Sequence, residues 1–197
     1  METQGAMERR IVRNTFHHEE FFELIIKAHQ DTNHKYDDYI PYEFHLRMAL
    51  TIAKRFINLI PIEHRPVVLA AVIAHDAIED ARMTYNDIKG KATSCGATKE
   101  QATMIAEMVR AVTNDGRGRN RDERMPDYIY EEIKTTFYSV FVKLCDRLAN
   151  VNYGLVTGGS MPQKYKKEQS YFKEKLHING LYEDMWRELD NLFDKLY

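Results

Sequence analysis

The sequence predicts an all-α bundle of about eight to ten helices. Apolar residues recur at steps of three and four through most of the chain, the period of an amphipathic helix. Alternating apolar and polar runs of strand type are scarce. Nine glycines and five prolines are few for 197 residues, so the breaks between periodic segments are short.

The first helical segment is Phe16 to Ala28, where Phe21, Phe22, Leu24, Ile25 and Ala28 share a broad face. Tyr42 to Ile60 follows, with Leu46, Ala49, Leu50, Ala53, Phe56, Ile57 and Ile60 on its apolar side. Pro61 and Pro66 bracket a short break. Val67 to Asp80 is read as one helix, apolar on all sides over its first eight residues, as a central buried helix is. Thr84 to Lys91 reads as a short helix with Thr84 as N-cap and Asp87 at the third position. Thr98 caps an amphipathic helix to Val112. Asn114 to Pro126 is a polar, basic loop. Ile129 to Asn150 returns to helical character, and Gly154 to Met161 is a break. Pro162 to Leu176 and Leu181 to Leu196 complete a single expected domain over 1–197, with a short N-terminal extension at about 1–15.

Composition narrows the function. Lys and Arg number 28 against 30 Asp and Glu, a net charge of -2, which disfavours duplex nucleic acid held by phosphate neutralisation. A local basic funnel for a small phosphorylated ligand remains compatible with it. The two cysteines, Cys95 and Cys145, have no metal-motif spacing. The longest apolar run, Val67 to Ala74, has eight residues, and a membrane span needs about 20. The N-terminal stretch lacks the apolar core of a signal peptide. These features predict a soluble, cytoplasmic protein without a membrane partner. The oligomeric state is not legible.

The chemistry concentrates in His75-Asp76-Ala77-Ile78-Glu79-Asp80, at the end of the most apolar segment. Charges beside a dry core are costly unless paired or metal-bound. Carboxylates at a helix C-terminus also oppose the helix dipole by about 0.3–1 kcal/mol each. A divalent cation would compensate both. The competing reading, a solvated acidic helix end with an incidental histidine, leaves that opposition unrelieved. On a helix His75 stacks over Glu79 and Asp76 over Asp80, while His75 and Asp76 converge on one ion only near a helix end. Further ligands must then come from elsewhere. His45 opens an amphipathic helix after a Pro-Tyr turn, and Asp146 ends a second apolar run beside Lys143 and Arg147. Two imidazoles and two carboxylates suit Mn²⁺, Fe²⁺ or Zn²⁺ and leave positions open for water, with Co²⁺ a further divalent candidate.

Five ordered motifs extend the reading. Pro-Tyr-x-x-His (41–45), His-Asp-x-x-Glu-Asp (75–80), Thr-Tyr-x-Asp-Ile (84–88), Val-Thr (112–113) and Val-Lys-Leu-x-Asp-Arg-Leu-x-Asn (142–150) resemble the hydrolase domain of RelA/SpoT enzymes and the small stand-alone alarmone hydrolases, within the HD superfamily of metal-dependent phosphohydrolases. The resemblance runs from about Phe21 to about Leu192. It implies an HD-type helical bundle that removes pyrophosphate from the 3′ position of ppGpp, pppGpp or a ppApp-type nucleotide. Carried over, His45, His75, Asp76 and Asp146 match the manganese ligands, Glu79 and Asp80 the catalytic acidic pair, and Asn150 a nucleotide contact. Glu79, or the pair, would orient and deprotonate a water. Lys143 and Arg117, Arg119 and Arg121 of the basic loop are candidates for offsetting phosphate charge.

The chain also departs from that pattern. Where an Arg-Lys pair usually precedes the first His by nine and eight residues stand Tyr36 and Asp37, with Lys35 one step earlier. Tyr36 could stack on a base. Ala81 replaces a usual Thr, and Val151-Asn152-Tyr153 replaces Met-Arg-Thr. The altered substrate shell keeps an alternative open: an HD-type nucleotidase or deoxynucleotide triphosphohydrolase. Among other histidines, His17 and His18 read as surface residues, His64 as a loop residue, and His34 as one that approaches the pocket.

Overall fold

The computed structural model describes residues 16–114 and 125–196. The N-terminal extension, and Arg117, Arg119 and Arg121 of the basic loop, lie outside the described residues. The helices in chain order are α1 (His18–Asp31), α2 (Glu43–Phe56), α3 (Arg65–Ala74), the four-residue α4 (Ala77–Asp80), α5 (Tyr85–Ser94), α6 (Lys99–Val112), α7 (Asp127–Thr135), α8 (Ser139–Thr157), α9 (Met161–Leu176) and α10 (Glu183–Asp194). The all-α bundle is therefore as the periodicity predicts. Among the described residues no helix is long and apolar enough to cross a membrane.

The centre is α3. Val67, Val68 and every residue from Ala70 to Ala74 are buried. Being apolar on all sides, it packs against α1, α2, α6 and α8 at once. The surrounding helices bury one stripe each; on α6 the stripe includes Ala102, Ile105, Ala106 and Val109. Thr84 and Thr98 cap α5 and α6 with reciprocal capping boxes, in which the third residue, Asp87 or Gln101, returns the bond to the cap.

Several element ends shift by a few residues, and three larger departures from the sequence reading shape the region around the site. The segment read as one helix from Val67 to Asp80 ends at Ala74, turns through His75 and Asp76, and resumes as α4. Glu79 and Asp80 thus sit in a first turn, not at the C-terminus of a long helix, so the dipole opposition argued from sequence is smaller. The segment read from Ile129 to Asn150 breaks at Tyr138, whose left-handed backbone (φ 62°) redirects the chain into α8, and α8 continues to Thr157. That extension depends on close packing. A Cβ at Gly154 would lie 2.5 Å from Pro162 Cδ and Cγ, so only glycine lets the start of α9 approach there. The third difference is a small antiparallel ribbon, β1 (Lys35–Tyr36) with β2 (Ile40–Pro41), pairing Tyr36 with Ile40. Its turn uses left-handed Asp37 (φ 51°) and Asp38 (φ 68°), residues whose short polar side chains tolerate that region.

Candidate metal centre

Four side chains meet where α2, the α3–α4 turn and α8 come together. One ligand atom from each of His45, His75, Asp76 and Asp146 lies within 4.8 Å of all the others. His45 sits in the first turn of α2, His75 at the end of α3, Asp76 in the turn and Asp146 midway along α8. His45 Nε2 is 3.1 Å from His75 Nε2 and 3.4 Å from both Asp76 Oδ2 and Asp146 Oδ1. His75 Nε2 is 2.8 Å from Asp76 Oδ2 and 3.6 Å from Asp146 Oδ1. Both imidazoles are buried.

The supporting contacts prepare the ring nitrogens. His75 Nδ1 donates to the Val72 carbonyl at 2.8 Å, which leaves Nε2 as the lone-pair nitrogen facing the cluster. Lone pairs of two buried imidazoles and two carboxylates facing one another repel unless a cation lies between them. Protons can serve as that cation. Burial alone would lower the His75 pKa, but the charges of Asp76 and Asp146 raise it well above the usual histidine range. Burial likewise opposes ionisation of Asp76 and Asp146, yet each is held well below the usual carboxylate range, Asp76 by the two histidines and Asp146 by Lys143 and the histidines. A divalent ion fulfils the same role without protons, and the mixed nitrogen and oxygen donors fit one.

Around the four donors lies a second set of groups. Tyr42 donates its hydroxyl to Asp76 Oδ2 and lies 3.4 Å from Asp80 Oδ2. Asn150 donates through Nδ2 to Asp146 Oδ1 at 2.5 Å and accepts from the Tyr36 hydroxyl at 2.9 Å. The Tyr36 ring stacks on His45, with centroids 5.0 Å apart and planes at 18°. Lys143 places Nζ 3.4 Å from Asp146 Oδ2. Burial would strip its proton, but Asp146, Asp76 and Glu79 keep it charged and raise its pKa.

The acidic pair borders this cluster. Glu79 accepts from the Asn114 side-chain amide, which ties it to the end of α6. Burial first, then the charge of Asp76, raises its pKa. Asp80 is pushed up to about 7 by burial and by the charges of Asp76 and Glu79. A carboxylate with that value exchanges its proton near neutrality.

Most of the residues expected from sequence converge here: His45, His75, Asp76, Asp146, Glu79, Asp80, Tyr36, Asn150 and Lys143. Lys35 is exposed on the ribbon and makes none of the contacts above. Arg147 turns away from Asp146, because adjacent helical residues splay by about 100°. Its guanidinium is buried over the rings of Tyr165 and Phe172, at 4.0 and 4.1 Å. His64 bonds to Tyr138 at 2.6 Å, a loop contact.

Sequence reasoning missed His29 and assigned no role to Tyr42. His29 is buried, stacks on Tyr42 with centroids 4.6 Å apart, and places Nδ1 3.4 Å from His34 Nδ1. Its position continues the buried stripe of Phe22, Ile25 and Ile26, which is the signal that could have found it. His34 does approach the site, with Nε2 3.9 Å from Asp80 Oδ2. No family model matches the chain, and no curated protein matches it.

Proposed function

We propose that the chain is a metal-dependent phosphohydrolase of the HD type that removes pyrophosphate from the 3′ position of a nucleotide such as ppGpp, pppGpp or ppApp, with Mn²⁺ as its metal. The observation that carries this reading is the joining of three chain-distant segments into one His45–His75–Asp76–Asp146 cluster with an acidic pair and a half-buried lysine beside it. The five motifs that suggest the substrate class supply every one of these residues.

The four donors would hold the ion, which when bound supplies Lewis acidity toward water and a phosphoryl oxygen. The chain's own groups account for the remainder. Asp80, whose Oδ2 lies 3.4 Å from the Tyr42 hydroxyl, accepts the proton of the attacking water, and Glu79, anchored by Asn114, orients that water. The new bond joins the water oxygen to the inner phosphorus of the 3′ group. The bond that breaks is the one between that phosphorus and the 3′ oxygen. The proton held on Asp80 returns to the 3′ oxygen, leaving a free 3′ hydroxyl and pyrophosphate. The Lys143 ammonium offsets negative charge on the pyrophosphate.

The test is incubation with Mn²⁺ and a panel of ppGpp, pppGpp, ppApp, dNTPs and nucleoside monophosphates. Pyrophosphate release from a 3′-pyrophosphorylated nucleotide is the expected result. Turnover of only dNTPs or monophosphates would move the reading to the alternative nucleotidase class, and turnover of none would remove it.

A further inference from the structure

Beside the cluster is a cavity of about 510 Å³, lined by Tyr36, Asp37, Asn150, Tyr153 and the α8–α9 connection. It joins the centre through the Tyr36–Asn150–Asp146 hydrogen-bond chain. The residues lining it include one carboxylate, Asp37, and no lysine or arginine. On the other side of Asp146 stands Lys143. The centre is therefore flanked by a cation on one side and an anion on the other.

One stripe of α8 orders this polarity. Lys143, Asp146, Asn150 and Tyr153 follow at steps of three and four, so they share a face. Ten residues at 1.5 Å each put Lys143 and Tyr153 roughly 15 Å apart along the axis. That distance suits a nucleotide lying along the helix. Phosphate groups are repelled by Asp37 and attracted by Lys143, so the uncharged base belongs in the cavity.

Asp37 is also oriented. The Tyr153 hydroxyl donates to its Oδ2 at 2.7 Å, which fixes the carboxylate and leaves Oδ1 and further lone pairs available. The side chain is mounted at a left-handed backbone position (φ 51°), where glycine would be unstrained. A fixed carboxylate presents two acceptors side by side. Guanine offers a matching pair of adjacent donors, N1–H and N2–H. Adenine offers a donor beside an acceptor, and that acceptor faces the carboxylate unfavourably.

We infer that Asp37 is a specificity-determining residue, reading a base with two adjacent donors in the Tyr36–Tyr153 cavity and excluding phosphate from it. The inference rests on the proposed nucleotide chemistry but is tested by binding. Guanosine 3′,5′-bisphosphate and adenosine 3′,5′-bisphosphate, neither of which carries a pyrophosphate, are titrated calorimetrically into the full chain with Mn²⁺. The wild type should bind the guanosine compound tighter by about tenfold or more. Asp37→Asn, which retains an acceptor for Tyr153, is favoured at a left-handed position and presents a donor beside an acceptor, should abolish or invert that preference. Equal binding of the two nucleotides, binding of neither, or an unchanged preference in Asp37→Asn overturns the inference. Hydrolysis is measured separately. A wild type that discriminates as stated yet releases no pyrophosphate sinks the proposed reaction and leaves the assignment of Asp37 standing.

Discussion

His45 Nε2 and His75 Nε2 face each other across 3.1 Å in the buried interior. With His75 Nδ1 committed to the Val72 carbonyl, its Nε2 can receive either a proton or a metal ion. The proton and the metal therefore compete. Burial alone would lower both histidine pKa values, but Asp76 and Asp146 raise them above the usual range. Mn²⁺ binding should thus release protons and strengthen as pH rises from 5 to 8. Calorimetry in two buffers of different ionisation enthalpy checks this. Equal heats in the two buffers would contradict it.

Asp80→Asn removes the proposed proton acceptor while leaving the four metal donors in place. The expected loss in kcat is about 100-fold to 10,000-fold, with Mn²⁺ affinity within about threefold of wild type. Parallel measurement of turnover and bound Mn²⁺ separates a catalytic loss from a metal loss.

Asn150 and Tyr36 brace one of the four donors. Asn150 holds Asp146 Oδ1 and is itself held by the Tyr36 hydroxyl. Asn150→Ala should weaken Mn²⁺ binding by about 10–100-fold, since ligands lacking their outer partners lose orientation. Tyr36→Phe removes a more distant bond and should have a smaller effect. Metal titration of both variants in the absence of nucleotide reads this directly.

His29 sets an acid limit on the fold. Burial lowers its pKa to about 4, against 6.5 for an unhindered histidine. The unfolded chain therefore binds more protons than the folded one between these values, and stability falls as pH drops through that window. The contribution lost is on the order of 2 kcal/mol. Urea unfolding in chelator at pH 7 and at pH 4.5 should show a smaller pH-dependent decline for His29→Gln than for wild type.

The fold and most of the site were legible for different reasons. Helical period and capping chemistry are local, so α5 and α6 start where Thr84 and Thr98 predict. The four donors were legible because residues of costly charge end apolar runs at His75, Asp76 and Asp146, and because the five motifs resemble a family. What escaped was set by tertiary contact. The break after Ala74 follows from drawing His75 and Asp76 toward one point, which a continuous helix would splay apart. The turn at Tyr138 and the close approach of Pro162 to Gly154 depend on neighbouring helices. The link from Tyr36 through Asn150 to Asp146 joins residues 114 apart in sequence, where no local pattern reaches.

His45, His75, Asp76 and Asp146 are expected to act together as one divalent-metal site. Its most direct measurement is an electron paramagnetic resonance titration of metal-stripped protein with Mn²⁺, on wild type, His75→Ala and Asp146→Asn. One ion per chain in the wild type, weakened at least about 100-fold in each variant, is the predicted result. Absence of Mn²⁺ binding in the wild type, or variants that bind like it, would contradict the account.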